Sequence, residues 1–73
     1  MFNKDFYKKL GCNIKKYRNM LGLSQQELAD KTNLSLNFIG KIEVSFSRPS
    51  LDSLIKIADA LEITVSELCS FKD

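Results

Sequence analysis

Seventy-three residues, 44% hydrophobic and 27% charged, suffice for one small core and a single domain spanning 1–73, with modest stability unless a second chain contributes. No apolar run approaches the roughly 20 residues of a membrane span, and the N-terminus lacks the apolar stretch of a secretory signal, so a cytoplasmic protein with no membrane partner is expected. The net charge of +2 hides an asymmetry: residues 1–48 hold nine Lys or Arg against four Asp or Glu (+5), residues 49–73 two against five (−3), which suits either a basic face for a polyanion or a scatter of solvated charge.

From about Asn3 to Leu21 the apolar positions Phe6, Leu10, Ile14, Tyr17 and Leu21 recur every three or four residues, the stripe of an amphipathic helix. Gly11 and Asn13 weaken the pattern locally, and Gly22 supplies a left-handed stop. A basic amphipathic helix also suits a membrane surface or a calmodulin-like partner, but this stripe is needed to close the domain's own core. Ser24-Gln25-Gln26-Glu27 is a capping box that starts a second helix, which buries Leu28 and Ala29 and stops near Thr32. Asn33 tolerates a left-handed turn, Leu34 anchors it, and Ser35 caps a third helix. Val44 to Arg48 has no clear period, and Pro49 makes Arg48 extended, so a loop is expected there. Ser50 caps a fourth helix with Leu51, Leu54, Ile55, Ala58 and Leu61 on one side. Thr64 and Glu67 form a second capping box for a short fifth helix. With no strand candidate, the fold class is all-α.

Cys12 and Cys69 are far apart in a chain without histidine, so neither a metal site nor a disulfide framework has its ligands, and both read as small buried apolar residues. The absence of histidine also removes the commonest general base. No catalytic residue, cofactor or small-molecule ligand is expected.

Stepping 100° per residue from Ser35 puts Ile39 and Ile42 on one side of the third helix and Leu36, Asn37, Gly40, Lys41 and Val44 on the other. If the two isoleucines are buried, the second set faces out. Two short helices joined by three or four residues match a helix-turn-helix over about 24–44, although a plain helical hairpin produces the same pattern. "LGLSQQELADKTNLS", "FIGKIE" and "RPSLDSLIKIADALEITVSEL", with the lengths between them, resemble the Cro and phage-repressor-like (XRE-type) helix-turn-helix domains. The resemblance covers residues 12 to 70. It implies a compact five-helix lambda-repressor-like domain whose second and third helices form the DNA-binding unit, acting as a homodimer on a partly palindromic operator in double-stranded DNA.

On that resemblance the outward face of the third helix lies in the major groove. Asn37 can pair with adenine N6 and N7, Leu36 can touch a thymine methyl, Lys41 can reach guanine O6 and N7 or a phosphate, and Gly40 permits close approach. A protein contact or an idle exposed leucine is the alternative for Leu36. Gln25, beside the free amides opening the second helix, is placed against a phosphate. Ser35, Phe38, Ser47, Arg48 and Lys15 complete the phosphate-contact candidates, with packing against the second helix as Phe38's alternative role and plain solvation as that of Lys15 and Arg48. The resemblance also implies an Arg18–Glu43 ion pair that fixes the reading helix on its scaffold. The loop departs from the family: Val44, Ser45, Phe46 and Ser47 stand where many members have a glycine and basic residues, which weakens its phosphate grip. Ile63, Val65, Leu68 and Phe71 offer more apolar surface than a short final helix easily buries alone, so a dimer contact is expected there, with intramolecular packing as the alternative. A protein-interaction module of antitoxin type and a restriction-modification controller are the alternative readings. With no ligand-sensing domain in 73 residues, control through concentration, dimerisation or a protein partner is expected.

Overall fold

The computed structural model describes residues 4–71, and the expected helix start at Asn3 lies outside them. Five helices follow in order: α1 (Lys4–Met20), α2 (Gln25–Thr32), α3 (Leu36–Glu43), α4 (Leu51–Ala60) and α5 (Val65–Leu68). The starts are set by side-chain caps that satisfy the first free amides. Ser24, Ser35, Ser50 and Thr64 each accept from the backbone N–H three residues on, and Glu27 and Glu67 complete reciprocal capping boxes. The stops use left-handed residues: Gly22 at φ +71°, Asn33 at φ 58° and Glu62 at φ 62°.

Leu10 and Ile14 of α1, Leu28 and Ala29 of α2, Ile39 and Ile42 of α3, Ile57 and Ala58 of α4, Leu61, and Leu68 of α5 meet in one core. Helix α1 packs on α3 and α5, α2 on α3 and α4, and α4 on α5. Gly11 does more than interrupt a stripe. It is buried where α1 crosses the end of α3, and a Cβ there would stand 2.6 Å from the Ile42 carbonyl oxygen and 2.7 Å from that of Glu43. Asn13 likewise has a tertiary partner: its Nδ2 donates to the carbonyls of Leu68 (2.9 Å) and Ser70 (3.1 Å), capping the end of α5.

Two expectations are corrected. The buried face of α4 carries Ser53, Ile57 and Ala58, while Leu51 is 67% and Ile55 51% exposed. The segment LDSLIKIADAL contains two overlapping apolar stripes, and the small Ser53, bonded to Ser50, turns the other one toward α2. Cys12 is exposed rather than buried, and only Cys69 is half-buried, because Leu10, Gly11 and Ile14 already occupy the inner face of α1. The segment after Glu43 is the expected loop, and it is closed by its own backbone hydrogen bonds. Ser45 N–H donates to Ile42 O, and the amides of Phe46 (2.7 Å) and Ser47 (3.3 Å) both donate to Lys41 O. Among the described residues no helix is long and apolar enough to cross a membrane.

Candidate nucleic-acid interface

Helix α3 is oriented by its own sequence. Ile39 and Ile42 are 0% and 1% exposed, which rotates Leu36, Asn37, Gly40 and Lys41 outward. These four line one shallow depression of ≈ 400 Å³ together with Gln25 and Val44. Asn37 and Lys41 are exposed, and Leu36 is 45% exposed. Nothing inside the protein demands a glycine at position 40. A Cβ there would meet only Gln25 Oε1, at 3.8 Å, an ordinary contact, so the gap opens toward whatever docks on the helix.

Beneath this face lies a buried polar network. Arg18 Nε donates to Glu43 Oε2 at 2.6 Å, Nη2 to Oε1 at 3.0 Å, and Nη1 to the Leu23 carbonyl at 2.7 Å. Gln25 Nε2 donates to Glu43 Oε1 at 3.0 Å. One carboxylate therefore gathers α1, the start of α2 and the end of α3, on a side chain only 2% exposed. Among the described residues no buried side-chain nitrogen or oxygen lacks a partner, the condition under which a buried ion pair is tolerable. The Gln25 amide, read from sequence as a phosphate contact, thus sits between the scaffold and the outward face of α3 with Glu43 as its partner. That link was illegible in sequence, because it joins residues 18 positions apart through a shared acceptor.

The other candidates are placed less uniformly. The Ser35 hydroxyl is the cap of α3 and accepts from Phe38 N–H at 3.0 Å. Phe38 is half-buried and packs against the core. Ser47 is half-buried and Arg48 exposed on the turn after α3, with the Arg48 guanidinium 5.5 Å over the Tyr7 ring. Lys15 is exposed on α1 and does not line the depression with Leu36. Of the dimer candidates, Leu68 must be withdrawn: it is 0% exposed, held in the core from which α5 hangs. Ile63, Val65 and Phe71 are half-buried and pack partly on that core.

Two titratable groups respond to this architecture. The Ser24 N–H and hydroxyl, which bond the Glu27 carboxylate, hold its pKa below the usual carboxylate range. Burial pushes the Cys69 thiol up. Among the described residues no group of three His, Cys, Asp or Glu is placed to hold a metal ion.

The family model described as helix-turn-helix matches residues 14–68. Over 52 residues the chain is 40% identical to the cryptic phage CTXphi transcriptional repressor RstR of Vibrio cholerae serotype O1, covering 71% of this chain but only 46% of that protein. The chain thus spans about half the length of that relative. Among solved structures, the restriction-modification controller protein C.AhdI from Aeromonas hydrophila matches with a TM-score of 0.83 at 34% identity, covering 85% of this chain and 94% of that one. The biofilm master regulator SinR in complex with DNA matches with a TM-score of 0.80 at 32% identity, covering 84% and 98%.

Proposed function

We propose that this chain, which belongs to the helix-turn-helix family, is a sequence-specific transcriptional regulator that binds double-stranded DNA through α3 and acts by binding rather than catalysis. One observation carries the reading: the outward side chains of α3 form a continuous polar and aliphatic face with a gap at Gly40, on a helix clamped from behind by a buried carboxylate network. A rigid helix with such a face fits the major groove. Asn37 presents both a donor and an acceptor, the pattern that pairs with adenine N6 and N7. Lys41 donates to guanine O6 and N7 or to a phosphate, and Leu36 packs on a thymine methyl. The gap at Gly40 lets the helix axis approach the base edges. Gln25, Ser35, Phe38, Ser47, Arg48 and Lys15 remain the proposed contacts to sugar and phosphate, which position the helix without reading sequence. The excess of basic residues in 1–48 supplies the attraction to the polyanion.

We assign a homodimer on two half-sites about one helical turn apart, with Ile63, Val65 and Phe71 as the proposed contact. Light scattering that finds a monomer at high micromolar concentration, with and without operator, removes the dimer but leaves the reading face. The main test is selection of bound sites from random duplex DNA, repeated for Asn37→Ala and Lys41→Ala. Each substitution should relax preference at one base pair by about 1–3 kcal/mol. Binding with no preference among sequences and no dependence on salt would sink the proposal.

A further inference from the structure

Helix α4 is apolar on two sides, and the core uses only one of them. Ser53, Ile57 and Ala58 face inward, while Leu51 and Ile55 stand one turn apart on the outside, 67% and 51% exposed. A helix with apolar residues all round is ordinarily covered all round. Beside this outer aliphatic row runs a charged row with the same four-residue spacing. Asp52 and Lys56 are both exposed and pair with each other at 3.4 Å across one turn.

The two rows have a symmetry that identifies what covers them. Each joins two unlike members, Leu51 with Ile55 and Asp52 with Lys56, about 6 Å apart along the helix axis. When a second α4 lies antiparallel across a two-fold axis near residues 53 and 54, Leu51 meets Ile55 of the second copy and Asp52 meets its Lys56. Each contact then occurs twice, as a two-fold interface requires, and the four charges alternate in sign around the axis. A parallel pairing sets Asp52 on Asp52 and Lys56 on Lys56, so charge selects the antiparallel one. A helix of another protein could match the aliphatic row, but the charge row is complementary to itself, which favours a second copy of this chain. We propose that the outer face of α4 is a self-association surface on which two copies pair antiparallel through Leu51, Asp52, Ile55 and Lys56. This surface shares no residue with the contact assigned to Ile63, Val65 and Phe71, and it does not depend on the DNA-binding reading of α3. The contact is small. Two aliphatic pairs and four charges bury far less than the roughly 1,200 Å² of a stable complex, so a dissociation constant on the order of 0.1–1 mM is expected. Pairing of that strength takes effect where copies are already held close together, as on one duplex.

The test is sedimentation equilibrium of the full chain up to about 2 mM, with amide NMR shifts followed over the same range. Wild type should show an association step whose shifts centre on residues 51–56. Asp52→Lys and Lys56→Asp each set like charges against each other across the axis and should weaken that step by roughly tenfold or more. An equimolar mixture of the two variants should restore it, because each now carries the charges the other needs. A change in helix stability does not produce that rescue. Ile55→Ser should weaken the step with its charges intact. Reversals that associate like wild type, or a mixture that stays apart, overturn the proposal. So does a wild type with no concentration dependence on α4, which leaves this face to a different protein. The contact at Ile63, Val65 and Phe71 is read separately: if it forms, the largest species is a tetramer, and if it does not, a dimer.

Discussion

Arg18 and Glu43 face each other as a bidentate pair, Nε to Oε2 at 2.6 Å and Nη2 to Oε1 at 3.0 Å, with side chains only 9% and 2% exposed. Their value to the protein is orientation. Buried pairs add little net stability because desolvation offsets the attraction, yet removing one partner strands a charge. Arg18→Met alone should therefore destabilise by about 3 kcal/mol, measured by urea unfolding. Combining it with Glu43→Leu should recover most of that loss. The double variant should still bind DNA poorly, since the carboxylate that aligns α1, Gln25 and α3 is gone; a double variant as unstable as the single one would refute the account.

Gly11 and Gly40 are the two helical glycines of opposite meaning. Gly11→Ala drives a methyl to within 2.6 Å of the Ile42 carbonyl oxygen, backbone that cannot yield cheaply, so a loss of about 1–3 kcal/mol is expected. Gly40→Ala meets only ordinary contact at 3.8 Å and should stabilise α3 by about 0.5–1 kcal/mol through helix propensity. The same substitution should weaken DNA binding by closing the gap in the reading face. Thermal melts and duplex titrations on both variants check the pair.

Ser45 and Glu62 occupy left-handed backbone at φ 60° and 62°, which disfavours a residue carrying a Cβ. Ser45→Gly and Glu62→Gly should each raise stability by about 0.5–1 kcal/mol, the relief of strain exceeding the extra freedom given to the unfolded chain. The gains should add, since the two turns end different helices. A fall in melting temperature for either one contradicts this reading.

The capping box of α2 makes its stability sensitive to acid. Glu27's folded pKa lies below its unfolded value of 4.5 because the Ser24 N–H and hydroxyl bond its carboxylate. A depressed folded pKa contributes stability that is fully present above the unfolded value and lost as pH falls through the folded one. The stability difference between wild type and Glu27→Gln should thus be constant at neutral pH and disappear below pH 4.5. A difference that persists unchanged at pH 3, or grows, would point to a packing origin instead.

Much of this molecule was legible in its sequence because its signals are local. Each cap lies within three residues of the amide it satisfies, so Ser24, Ser35, Ser50 and Thr64 mark the helix starts directly. The outward face of α3 follows from two isoleucines three residues apart and the 100° step of a helix. The segment LDSLIKIADAL shows where local reasoning stops. Periodicity offered two apolar stripes, and only packing of α2 against α4 chose the one containing Ile57 over the one containing Leu51 and Ile55.

What the sequence determined alone was the number of helices, their caps and turns, and the set of side chains on the outward face of α3, since each depends on neighbours within one or two turns. Tertiary structure decided the rest. It buried Leu68 in the core, required glycine at position 11 where two backbones cross, gave Asn13 the end of α5 as its partner, and placed Gln25 and Arg18 on one oxygen of Glu43. It also set Phe46 among Lys4, Tyr7 and Arg48. These relationships join residues up to 57 positions apart, and no periodic pattern encodes a contact that exists only once the helices have closed on a common core.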